Sequence, residues 1–117
     1  MSEHKEPKVI DGVEYYPHEN GGGLVAVTAT VAKTAYVGKD ALVFGDAEVF
    51  NNARVYGYAW VSGDAKVYGD AEVSNNAWVY GNTKVYGDAK VYGNAEVFGN
   101  AQVSGDACVC GNKKENE

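Results

Sequence analysis

Residues 45–92 read GDAEVF NNARVY GYAWVS GDAKVY GDAEVS NNAWVY GNTKVY GDAKVY, eight consecutive hexads whose fifth position is always valine. Followed outward in both directions, that valine recurs fifteen times without a slip, from Val25 to Val109. Four positions after each of them stands alanine, from Ala29 to Ala107, with Thr83 the one exception. Two positions after each valine, between residues 45 and 111, there are ten glycines together with Asn51 and Asn75. Those are the residue types that most readily adopt a positive φ. Next comes Asp or Asn, with Tyr58 the exception, and these side chains favour turns by bonding their own backbone. Each hexad therefore reads as a short strand, Ala-x-Val-x, followed by a corner.

Alternation along such a strand turns Ala and Val inward and both x residues outward. One hexad cannot bury two small apolar groups alone, whereas stacked hexads can, so the period predicts a parallel β-solenoid in which each coil contacts only its neighbours. Residues 45–68 and 69–92 agree at 18 of 24 positions, so the duplicated unit spans four hexads. A four-sided coil would stack those copies and put Asn75 over Asn51. A three-sided coil would move each copied feature to the next flank.

The Val-x-Gly-Asp/Asn-Ala-x frame resembles the hexapeptide repeat of left-handed β-helices, in which three hexads make an eighteen-residue triangular coil. The resemblance covers Leu24 to Asn112 and implies an all-β, left-handed triangular β-helix of about five coils. The family contains acyl- and nucleotidyl-sugar transferases and also repeat-only proteins of bacteria and phages, and this chain is more similar to the second group. The entry Gly21-Gly22-Gly23-Leu24-Val25 resembles the start of phage-type repeat proteins. The glycines read as slack for entering the first coil. The expected division is a tail with a β-hairpin cap at 1–23, the helix at 24–112 and a disordered charged tail at 113–117. In the cap, Lys8-Val9-Ile10 and Val13-Glu14-Tyr15-Tyr16 flank Asp11-Gly12, a signature of a two-residue type I′ turn. Its expected task is to cover an edge that would otherwise pair with other chains.

Chemistry has little room in this pattern. Resemblance to the transferases implies a histidine base under a loop that interrupts the repeat, yet no hexad is interrupted and both histidines, His4 and His18, lie before it. Ser62, Ser74 and Ser104 have no histidine in the repeat to activate them. No catalytic residue, cofactor or metal site is expected. Cys108 and Cys110 share one side of a strand, but no other Cys or His lies nearby in sequence to complete a metal site, and they read as small outward residues. With Val109 they form a possible end-to-end contact. In a triangular coil Asp70, Asp88 and Asp106 stack in one acidic corner column, which also reads as ordinary turn chemistry.

Charge narrows the partners. Sixteen acids against ten bases give a formal charge of −6, which disfavours direct contact with nucleic acid or anionic membranes. No apolar run is long enough to span a bilayer, and the N-terminus lacks a secretory apolar core, so a cytoplasmic setting is expected. Phased at eighteen, one outward side carries Leu42, Phe44, Trp60, Trp78, Tyr80 and Phe98, six large apolar residues. The other two sides mix charge with tyrosine. An aromatic side of that extent predicts a non-catalytic interaction protein that forms a dimer or trimer or docks a protein partner. Two other classes compete with it. One is an acidic mimic of nucleic acid, weakened because residues 24–112 hold nine acids and six bases. The other is a glycan-binding module that uses stacked aromatics.

Overall fold

The computed structural model describes residues 8–111 and the backbone of 114–116. Among the described residues there is no helix. A hairpin, β1 (Lys8–Ile10) and β2 (Val13–Pro17), precedes β3 (Leu24–Ala26), β4 (Thr30–Val31), β5 (Tyr36–Val37), β6 (Leu42–Val43), β7 (Glu48–Val49) and β8 (Arg54–Val55). Then follow β9 (Trp60–Val61), β10 (Lys66–Val67), β11 (Glu72–Val73), β12 (Trp78–Val79), β13 (Lys84–Val85) and β14 (Lys90–Val91). The last four are β15 (Glu96–Phe98), β16 (Gln102–Val103), β17 (Cys108–Val109) and β18 (Lys114–Asn116).

Every third repeat strand joins the same sheet. The first flank runs β1-β2-β3-β6-β9-β12-β15-β18, the second β4-β7-β10-β13-β16 and the third β5-β8-β11-β14-β17. Within the repeat all pairings are parallel with partners eighteen residues apart, such as Trp60 with Trp78 and Val61 with Val79. The chain is thus a three-sided β-solenoid of about five coils. Asn51 Oδ1 accepts from the Gly69 N–H at 3.2 Å, a partner eighteen residues on, so Asn75 does not lie over Asn51 and the four-sided arrangement is ruled out.

Local chemistry explains each turn of the coil. The inward alanines and valines from Ala35 to Val97 are almost wholly buried, forming one column of small side chains along the axis. Small residues are required because three flanks converge there. The corner position holds a φ near +60° to +75°, including Asn51 at 61° and Asn75 at 60°. Glycine is favoured there for a second reason: a Cβ on Gly63 would come within 2.8 Å of the Gly81 amide nitrogen one coil on. Between coils, outward residues donate forward, as in Trp60 N–H to Ala77 O at 3.0 Å and Ser62 N–H to Val79 O at 2.8 Å.

Both chain ends depart in part from the sequence expectation. The hairpin forms with Asp11 at φ 53° and Gly12 at 79°, as a type I′ turn demands, and β2 extends the first flank antiparallel to β3. It caps only that flank. Gly21 and Gly23 are not slack: a Cβ on either would overlap the backbone of Val37 or Gly38, so these glycines let residues 20–23 lie against β5. Within the tail expected to be disordered at 113–117, Lys114–Asn116 instead pairs with β15 in parallel, Glu96 with Lys114 and Val97 with Glu115, while 113 and 117 lie outside the described residues. The ladder continues there because backbone groups of β15 accept the next strand in phase whether or not that strand carries valine. Residues 1–7, 112, 113 and 117 lie outside the described residues.

Candidate interaction face

The first flank assembles the six apolar residues expected to share a side. Leu42 pairs with Trp60, Trp60 with Trp78, and Trp78 with Glu96, so β6, β9, β12 and β15 set the spacing of these side chains. The rings touch in sequence. Phe44 meets Trp60 edge-on at 5.9 Å between centroids, Trp60 meets Trp78 at 5.6 Å and 82°, and Trp78 leans on Tyr80 at 4.4 Å. Tyr80 then stacks on Phe98 at 5.3 Å. Such pairs add about 0.5–1.5 kcal/mol each beyond area burial, so part of the aromatic content stabilises the stack itself.

Two polar contacts hold this ladder in place. Trp78 Nε1 donates to Ser62 Oγ at 3.1 Å, and the Tyr80 hydroxyl donates to Glu96 Oε1 at 3.3 Å. Burial first, then the Glu96 charge and this hydrogen bond, raise the Tyr80 phenol above its usual 10.0. Nothing in the repeat pattern pointed to the Ser62 role; its signal was only a small hydroxyl at an outward position two residues after Trp60, where the next coil carries a second tryptophan in line with the first. Trp60 is the most exposed of the six at 40%, and the other five are half-buried by their neighbours. Beside it Tyr58, the one aromatic at a corner, stands 64% exposed. Tyr58, Trp60, Asn76, Ala77 and Trp78 line a groove of about 350 Å³.

The second flank carries its own ladder. Phe50, Tyr68 and Tyr86 stack nearly parallel at 4.8 and 5.0 Å, a cross-strand array within the chain. On the third flank the Tyr56 hydroxyl donates to Glu72 Oε1 at 3.0 Å, and Arg54 reaches Glu72 Oε2 at 4.0 Å, an exposed pair of small energetic weight.

The remaining expected positions fall as follows. Asp70, Asp88 and Asp106 occupy one corner and line a groove of about 370 Å³ with Glu72, Lys90 and Cys108. Among the described residues no group of three or more His, Cys, Asp or Glu is arranged to hold a metal ion. Cys108 and Cys110 are free cysteines facing outward, and the Tyr92 phenol is raised above its usual 10.0 first by its hydrogen bond with Cys110 and then by electrostatic interaction with Cys110 and Cys108. Val109 points inward and is only 3% exposed, so it cannot contribute a surface to an end-to-end contact; alternation along β17 puts it on the core side. His18 Nε2 lies 2.9 Å from the Ala35 carbonyl and serves as a clamp on the first coil. His4 lies outside the described residues. No helix among the described residues is long and apolar enough to cross a membrane.

With this geometry in view, two segments, residues 47–63 and 89–105, match the family described as the YdcK beta solenoid repeat. Both begin on the inward alanine of a hexad but on different flanks, β7 and β14, so the likeness lies in the hexad and not in one side of the rod. No curated protein matches the chain. No solved structure matches it.

Proposed function

We propose that this β-solenoid is a non-catalytic interaction protein that uses its first flank, Leu42, Phe44, Trp60, Trp78, Tyr80 and Phe98, to self-associate as a dimer or trimer or to dock a protein partner. The observation that carries this reading is the ring ladder with Trp60 at its centre: the rings are held by one another and by Ser62 and Glu96, so little side-chain freedom is lost on docking. Tryptophan at the middle of such a patch is the residue type in which binding energy concentrates. The same reading includes left-handed winding and kinship with bacterial and phage repeat-only proteins, supported by the six-residue frame. It also includes a cytoplasmic setting, where two free thiols stay reduced.

Trp60→Lys tests it. The side chain lies outside the core, so the coil should fold, while a charge in the patch should weaken association by at least about thirtyfold, the roughly 2 kcal/mol of an interface anchor. Light scattering over a concentration series reads the result. A natural chain that stays a single copy throughout, and captures no protein that Trp60→Lys loses, contradicts the reading. The groove of Tyr58, Trp60, Asn76 and Trp78 favours glycan binding as a second reading, since an exposed ring pair beside an amide suits a sugar face and its hydroxyls. A glycan array without a hit counts against it.

A further inference from the structure

The first coil presents three equivalent sets of backbone groups toward its N-terminal side, and only two of the sets are used. On the first flank β2 pairs with β3, Tyr16 opposite Val25, and His18 N–H donates to Gly23 O at 2.7 Å. On the third flank Asn20 O accepts from Val37 N–H at 3.1 Å and Gly23 N–H donates to Val37 O at 2.9 Å. There the Ala35 carbonyl is met by His18 Nε2 at 2.9 Å and by Asn20 Nδ2 at 3.1 Å. On the second flank β4 pairs only with β7, on its other side. Val31 occupies the same phase as Val37, so its N–H and C=O face the same way, as does the Ala29 carbonyl, and these three groups have no protein partner among the described residues. Unpaired strand edges of this kind recruit strands.

The surroundings specify what would fit. A concavity of about 790 Å³ lies at this edge, floored by Val25, Ala26, Ala29 and Val31 and bordered by Tyr16 and His18. Val27 beside it is 61% exposed. The hairpin stands two strands above β3 and the His18–Gly23 segment one strand above β5, so both neighbouring flanks rise higher than β4. These walls keep a second solenoid from stacking its whole end there. They leave room for one strand, in the mode of strand addition to a sheet edge.

We propose that β4 is a strand-addition site for one extended peptide segment of a partner, with a small apolar residue facing Val31 and polar residues on either side of it. In the register used by every inner coil, the guest would donate two N–H groups to Ala29 O and Val31 O and accept from Val31 N–H. This site is independent of the aromatic flank. A suitable probe is the chain's own face-two hexad as a free peptide, residues 63–70, Gly-Asp-Ala-Lys-Val-Tyr-Gly-Asp, because β10 already makes this pairing within the second flank.

Residue-resolved amide hydrogen exchange on the full chain provides the test. Without peptide, the Val31 amide should exchange fast while the Val25 and Val37 amides are protected. Peptide at about nine times its dissociation constant should slow Val31 about tenfold. The same peptide N-methylated at its lysine and tyrosine, which lacks both donors, should not. Protection of Val31 already in the free chain would overturn the proposal, since the edge would then be filled by the chain itself or by a second copy. So would an unchanged Val31 rate with peptide in excess, or equal protection by the N-methylated peptide.

Discussion

Thr83 stands where every other hexad between residues 29 and 107 has alanine, and it is the residue least at ease in the core. It is 1% exposed, and its Oγ1 is buried without a hydrogen-bond partner. An unsatisfied buried hydroxyl costs about 1–3 kcal/mol, so Thr83→Val, which keeps the shape and removes the polar atom, should stabilise the fold by roughly 1 kcal/mol, read as a rise in denaturant midpoint. Gly63→Ala should act in the opposite direction. The left-handed corner costs a non-glycine residue about 1–2 kcal/mol, and the added Cβ would also press on the Gly81 backbone. Tyr80 supplies a pH dependence. Its phenol is raised in the fold, so the stability it contributes is complete below pH 10.0, the unfolded value, and is lost as pH rises through the folded value. Tyr80→Phe should lessen the alkaline loss measured by pH-dependent unfolding. At this scale the sequence was most legible where a position repeats, as at Val43 or Gly63, because periodicity exposes its constraint. It was least legible where a residue acts once: Ser62 holding Trp78, or Gly21 and Gly23 letting the chain lie on Val37.

The repeat strands are mostly two residues long and none could persist alone, so the unit that matters is the coil. The flank of each strand is fixed by counting hexads, which makes register testable by deletion. Removing residues 51–68 takes out one whole coil and should leave Leu42 and Phe44 on the flank of Trp78. Removing residues 51–56 alone keeps the hexad period and the fold but shifts Leu42 and Phe44 to a different flank from Trp60. Both variants should retain β structure by circular dichroism. Only the shorter deletion should separate Leu42 and Phe44 from the remaining aromatic residues; both should weaken association, the longer one because it removes Trp60 and the Ser62 partner of Trp78. The hairpin was readable from Asp11-Gly12 because its turn chemistry is local. The cap on β5 and the strand β18 were not, since each depends on what the neighbouring coil offers and not on its own residues: Lys114-Glu115-Asn116, without an apolar residue, still pairs, because β15 supplies the ladder.

The whole molecule measures 41 × 27 × 20 Å, a short rod whose long flanks are its chief surfaces. Its architecture follows from one proposition, that three corners complete a lap and side chains eighteen apart share a flank. The aromatic ladder, the groove beside Tyr58 and the uncapped edge of β4 all depend on it. The family likeness to a beta solenoid repeat, confined to two segments, agrees with this architecture and assigns no partner. The most direct measurement is the exciton coupling between the two tryptophans in far-ultraviolet circular dichroism. With ring centroids 5.6 Å apart and planes at 82°, Trp60 and Trp78 should give a paired positive and negative band that disappears completely in either Trp60→Phe or Trp78→Phe. Spectra in which each substitution removes only its own independent contribution would mean that the two indoles are far apart, and would contradict the three-sided stack.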